Sequence, residues 1–261
     1  MRKNRLRELI AANELLLGVM IDFPSPRFVE FVGWMGFNWV LIDGEHDGVS
    51  AATCADLVMA CDAVGIASVV RVPVNQPELI LAYADTGVSG VIAPHVRSAE
   101  EAKRLVGALR YPPHGTRGAA SGSRAANYGF TQTAKAYFQT VEHTVAMALM
   151  EDPEGYDDIE AIAAVPGLEV LCLGTGDLSV SLGIPGDKLH PEITGRVEKA
   201  RVAAGRHGQV LNAAVGDKAS LEWAKSIGSR MLLTSGAGIA AAGGRAFLDL
   251  ARSVYGADPK P

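Results

Sequence analysis

Apolar residues in this chain gather into short runs at 15–21, 39–43, 66–72, 90–93, 145–150, 168–173, 210–215 and 231–234. Their near-continuous, β-branched character is that of strands buried on both faces, as in parallel sheets. Between them the apolar positions recur with helical spacing. Ser25-Pro26 opens a helix over 25–35 as cap and first-turn proline. Ser50 is placed to cap 51–63, and Ser98 opens another helix, with Glu101 at capping-box spacing. Further helices are predicted at 76–86, 155–164, 191–207, 217–227 and 237–253, with short ones near 3–13 and 131–140.

Two stretches interrupt this rhythm. Residues 111–130, rich in Gly, Pro and Ser, are too long for an ordinary connector and predict a functional loop. A second glycine-rich loop is expected between Gly174 and Pro191. Strands alternating with helices imply parallel neighbours and right-handed crossovers, and eight repeats suggest closure into a (β/α)8 barrel, a TIM barrel. A doubly wound open sheet is the alternative. No composition break divides residues 1–261, so a single domain is expected.

Composition narrows the partners. The chain is 48% hydrophobic and 20% charged, as expected for a soluble globular protein, and its net charge of −5 with no basic run argues against nucleic acid. No apolar run approaches the ~20 residues that span a bilayer. The basic residues at 1–7 lead into an amphipathic pattern rather than the apolar core of a signal peptide. Cys54, Cys61 and Cys172 lack metal-finger or redox spacing, and are expected to be reduced thiols of a cytoplasmic protein.

The candidate chemistry lies where the runs end. Trp39-Val40-Leu41-Ile42 opens directly into Asp43-Gly44-Glu45-His46, charged groups that a fold core alone would not place there. Arg71 falls at the end of the third run, Glu151 just after the fifth and Asp177 after the sixth. In a barrel these ends share one rim, where such enzymes keep their active sites. Glu151 and Asp177, from adjacent strands, could meet at one hard cation, Mg2+ or Mn2+, with Co2+ also open. Acidic N-caps are the plain alternative for both. His46 suits proton transfer near neutral pH, with Asp43 placed to orient its ring. Arg71 suits a carboxylate or a developing oxyanion.

None of the eight lysines occupies a strand interior or its final residue, and Lys218, the nearest, opens a helix. Schiff-base catalysis is therefore disfavoured. No nucleophile elbow, Walker loop or dinucleotide fingerprint is present.

Asp43-Gly44-Glu45-His46, Arg71-Val72-Pro73, Arg110-Tyr111-Pro112-Pro113 with Gly115, Arg117 and Gly118, Glu151, Gly174 with Asp177-Leu178-Ser179, and His190-Pro191-Glu192 recur in order. Together they resemble the HpcH/HpaI family of class II, metal-dependent pyruvate aldolases, over roughly residues 5–253. The resemblance implies a (β/α)8 barrel assembled as a homo-oligomer, a hexamer or trimer, with the C-terminal helix exchanged between subunits. It implies Glu151 and Asp177 as ligands of Mg2+ or Mn2+, Arg71 steadying an enolate, and His46 paired with Asp43 or Asp85 for proton transfer. The amides of Gly174, Thr175, Gly176 and Asp177 would grip a substrate carboxylate. Arg117, Ser121, Ser123 and Arg124 would shape the aldehyde side. The implied reaction releases pyruvate, or hydroxypyruvate, and an aldehyde from a 4-hydroxy-2-oxo acid. A citryl- or malyl-CoA-type lyase and a non-catalytic keto-acid-binding barrel are the competing readings. Leu149 and Thr175-Gly176 depart from the family's usual Gln and Pro-Ala.

Overall fold

The computed structural model describes residues 4–131, 133–138 and 144–256. The predicted helix over 131–140 is seen as α6 (Ala134–Phe138), and its last two positions lie outside the described residues. The eight strands are β1 (Leu16–Met20), β2 (Trp39–Asp43), β3 (Ala67–Arg71), β4 (Gly90–Ala93), β5 (Val145–Met150), β6 (Leu168–Leu173), β7 (Val210–Ala214) and β8 (Met231–Ser235). Each pairs in parallel with the next, and β8 pairs with β1, from Leu16 opposite Met231 to Met20 opposite Ser235. That last pairing closes the barrel and removes the open-sheet alternative.

Two apolar cores follow from the closure. One fills the barrel with Leu16, Trp39, Leu41, Val69, Met147, Val170 and neighbours, and takes Leu6 and Leu9 of α1 (Arg5–Ala11). Helix α1 therefore plugs the N-terminal end. Gly18 is required here, since a Cβ would sit 2.1 Å from the buried Trp39 ring. The second core lies between the strands and the surrounding helices. Cys54, Cys61 and Cys172 are buried, and none forms a disulfide among the described residues.

Helices α2 (Pro26–Trp34), α3 (Ala51–Val64), α4 (Pro77–Ala84) and α5 (Ala99–Leu109) agree with the predicted spans to within a few residues. Ser50 and Ser98 accept from the amides of Thr53 and Glu101, whereas Ser25 makes no side-chain cap bond. Glu101 turns to the amide of Arg97, so the Ser98 capping box is only half made. The predicted 155–164 helix is split into α7 (Pro153–Asp157) and α8 (Ile159–Ala163), and the Asp158 carboxylate between them accepts from the Ala99 amide. The supposed glycine-rich loop after β6 begins with a helix, α9 (Thr175–Ser181). Then come α10 (Pro191–His207), α11 (Lys218–Ser226) and α12 (Gly236–Tyr255). No helix among the described residues is long and apolar enough to cross a membrane.

The 111–130 stretch does not face the cavity of its own chain. Helix α5 carries the chain away from the C-terminal rim, and the following segment is tied beneath the barrel. Arg110 donates to the carbonyls of Thr144 and Gly167, Arg117 pairs with Asp85, and Arg124 donates to the Thr86 carbonyl. Arg117 and Ser121 therefore do not line the rim cavity of their own chain. Asp85, at the C-cap of α4, stands on the same lower side and meets Arg117 rather than His46.

Candidate active site

At the C-terminal rim, β2 and β3 run in register with Asp43 opposite Arg71. The Arg71 Nε donates to Asp43 Oδ1 at 3.0 Å, and Nη2 donates to Oδ2. Asp43 also accepts from the backbone amides of Glu45 (2.9 Å) and His46 (3.3 Å). Burial opposes its charge, but the Arg71 bonds and these amides prevail and hold the carboxyl below its ordinary range. Arg71 is in turn raised, its own burial outweighed by Asp43, Glu45 and Glu151. Asp43 was expected to orient the His46 ring. It grips the His46 amide instead, and the exposed ring makes no hydrogen bond among the described residues.

Across the barrel mouth, β5 ends at Met150 and places Glu151 with a side chain 3% exposed. Glu151 Oε1 accepts from the His95 amide at 2.8 Å, whereas Oε2 has no hydrogen-bond partner among the described residues. Burial raises this carboxyl above its usual range; His95 partly offsets that, while Glu45 and Asp177 add to it. Asp177 lies in the first turn of α9, one of the seven residues of that helix. Gly174, between β6 and α9, donates its amide to the Met150 carbonyl at 2.8 Å. A Cβ on Gly174 would come within 2.5 Å of the Glu151 Cβ, so glycine is what lets α9 start this close.

One cavity of about 650 Å3 joins these elements. Its walls include Arg71, Glu151, Gly174, Thr175, Gly176 and Asp177, over an apolar floor of Leu41, Ile92, Leu149, Cys172 and Leu233. Lys188, from the loop after α9, also reaches it. Lys218 does not; it is exposed and pairs with Glu222. His46, Asp43, Asp85, Arg117 and Ser121 are outside the lining.

Glu45, His95 and Asp152 gather near Glu151, and sequence reasoning gave these three no role. His95 follows Pro94 directly after β4; its Nδ1 meets Asp152 Oδ2 at 2.9 Å and its Nε2 lies 3.6 Å from Glu45 Oε1. Burial works against the imidazolium, but Asp152, Glu151 and Glu45 raise its pKa. The available signal was a histidine two residues past the end of the fourth apolar run, and a second acid, Asp152, next to Glu151. Glu45, His95 and Glu151 each offer one ligand atom, all within 4.8 Å of one another. The buried Glu45 Oε2 accepts no hydrogen bond, although Arg71 Nε is 3.2 Å away as an ion pair. Carboxylates that each keep one oxygen without a hydrogen-bond donor, beside an imidazole, are a donor set that fits a divalent cation.

Residues 18–228 match the HpcH/HpaI aldolase/citrate lyase family. The chain belongs to this family. A 5-keto-4-deoxy-D-glucarate aldolase of Citrobacter koseri is 33% identical over 207 residues, 79% of each chain. An HpcH/HpaI family protein from Burkholderia cenocepacia superposes with a TM-score of 0.89 at 28% identity, covering 96% of this chain and all of that one. The citrate synthase SbnG gives a TM-score of 0.83 at 27% identity, over 96% and 98% of the two chains. This family member is an enzyme, a lyase of the aldolase type, acting on small molecules.

Proposed function

We propose that this aldolase cleaves 4-hydroxy-2-oxo acids reversibly, releasing pyruvate or hydroxypyruvate and an aldehyde, with a divalent cation held by Glu151 and Asp177. The single observation that carries the reading is that β3, β5 and β6 deliver Arg71, Glu151 and Asp177 to one cavity. When bound, Mg2+ or Mn2+, with Co2+ as a third candidate, would supply Lewis-acid polarisation of the keto group. The chain's own residues do the rest. Arg71, held flat by Asp43, presents its guanidinium to the charge that develops on the carbonyl oxygen as the C3–C4 bond breaks. His46, exposed on the loop after β2 and outside the cavity lining, would take the 4-hydroxyl proton by way of water. The first-turn amides of α9, at Thr175, Gly176 and Asp177, receive the substrate carboxylate. The apolar floor keeps water from the carbanionic carbon.

Likeness to glucarate-type aldolases supports a hydroxylated acid as substrate. A second reading, action on a citrate-type acid, is favoured by the likeness to SbnG. The protein would work in the cytoplasm as a homo-oligomer, a trimer or hexamer with α12 exchanged between subunits. Phe247, Leu250, Val254 and Tyr255 of that helix are exposed on their own chain, which supports this assembly.

The test is release of pyruvate from 4-hydroxy-2-oxo acids by chelator-stripped enzyme, before and after Mn2+ or Mg2+. Metal-dependent release lost in Glu151→Gln and Asp177→Asn is expected. Activity without metal, or inactivation by borohydride with pyruvate, would overturn the reading and turn attention to Lys188. Release of acetate or oxaloacetate from citrate alone would favour the second reading.

A further inference from the structure

Glu151 has neighbours beyond Asp177 that the proposed function leaves unused. His95 is held in left-handed backbone, φ 52°, which non-glycine residues adopt rarely and keep only where the surroundings fix it. Here both ends are fixed. Its amide donates to Glu151, and its ring to Asp152, whose other oxygen accepts from Arg97 Nη2 at 3.1 Å. An ionised carboxylate can only accept, so the proton of a neutral ring sits on Nδ1 and the lone pair on Nε2. That Nε2 faces Glu45 Oε1 at 3.6 Å, too far for a hydrogen bond. A carboxylate on one ring nitrogen and an open lone pair on the other is the arrangement of metal-bound imidazoles. Glu151 Oε2, on a side chain 3% exposed, and the buried Glu45 Oε2 accept no hydrogen bond among the described residues.

We propose that His95, through Nε2, and Glu45 join Glu151 in holding the cation, with Asp152 as the positioning residue for the ring. This rests on the reading that a divalent cation binds at Glu151. A nitrogen donor gives the centre a preference for Mn2+ or Co2+ over Mg2+, which favours oxygen ligands and ideal octahedral geometry.

The experiment uses the full chain, stripped by chelator and loaded with Mn2+ alone, read by pulsed electron paramagnetic resonance and by calorimetry. The wild type should show imidazole 14N coupling to Mn2+, kept in His46→Asn and lost in His95→Asn, a residue that tolerates the left-handed backbone. Mn2+ and Co2+ affinity should fall about 10–100-fold in Asp152→Asn and at least as much in His95→Asn, while Mg2+ affinity holds. His95→Gln, checked by circular dichroism, guards against misfolding. Absence of 14N coupling in the wild type, or equal Mn2+ affinity in wild type and His95→Asn, overturns the assignment. If Mn2+ still binds the wild type but not Glu151→Gln, the proposed function survives that loss. If the wild type binds no cation, both fall.

Discussion

Asp43 and Arg71 stand opposite each other in the register of β2 and β3, and the guanidinium closes on the carboxylate through both Nε and Nη2. The pair is nearly dry, with side chains 1% and 12% exposed. It makes Arg71 a fixed wall of the cavity rather than a mobile surface cation.

An ammonium cannot reproduce that fork. Arg71→Lys should keep the fold and lower kcat by about 100-fold or more, measured by steady-state kinetics with metal in excess. Asp43→Ala leaves the guanidinium buried against Glu45 alone and should cost about 3 kcal/mol in urea denaturation.

The same pair sets an acid limit. The Asp43 carboxyl titrates below its unfolded value of about 3.9, so its stabilisation is complete above that value and is lost as pH falls through the lower, folded one. The stability gap between wild type and Asp43→Asn should stay constant from about pH 7 to about pH 5 and narrow below about pH 4. Denaturation midpoints across that series check it; a gap that narrows above pH 5 would point to another group.

Gly174→Ala would push a methyl into Glu151 at 2.5 Å and the Met150 carbonyl at 3.0 Å. Overpacking of this kind costs about 1–3 kcal/mol. Because Glu151 is the group displaced, activity and cation affinity should both drop while thermal unfolding stays cooperative. Calorimetric titration with Mn2+ checks the first and a melting curve the second.

A chain ending at Ser235 should form a smaller assembly than the full chain, measured by light scattering. Phe247→Glu with Val254→Glu should do the same without deletion, since both apolar side chains are exposed on their own subunit. An unchanged mass in both would remove α12 from the interface.

The barrel was legible in the sequence because double burial leaves one-sided evidence. Strands covered on both faces, such as Val145–Met150, carry few polar residues, so they read as nearly plain apolar runs. The same logic marked Arg71, Glu151 and Asp177, since an ionisable group at the mouth of such a run has few structural reasons to be there. It failed after β6, where Gly174 and Gly176 suggested a loop: the first glycine serves close packing against Glu151, and the helix continues through the second. At 111–130 composition marked a functional loop without saying which face it serves, and within its own chain Arg117 turns to Asp85, away from the cavity lining. The direction of α5 decides which face that segment serves.

What the sequence alone determined is the order of elements, the closure expected of eight βα repeats, and the carboxylates and arginine at strand ends. Period and burial are local properties, written along the chain. What only the tertiary structure decided is which side chains meet. Asp43 belongs to Arg71 and not to the His46 ring, Asp85 belongs to Arg117, and His95 stands among Glu45, Glu151 and Asp152. Those partnerships depend on strand register and on a left-handed turn at His95. They are relations between strand ends and loops dozens of positions apart, and no local pattern encodes them.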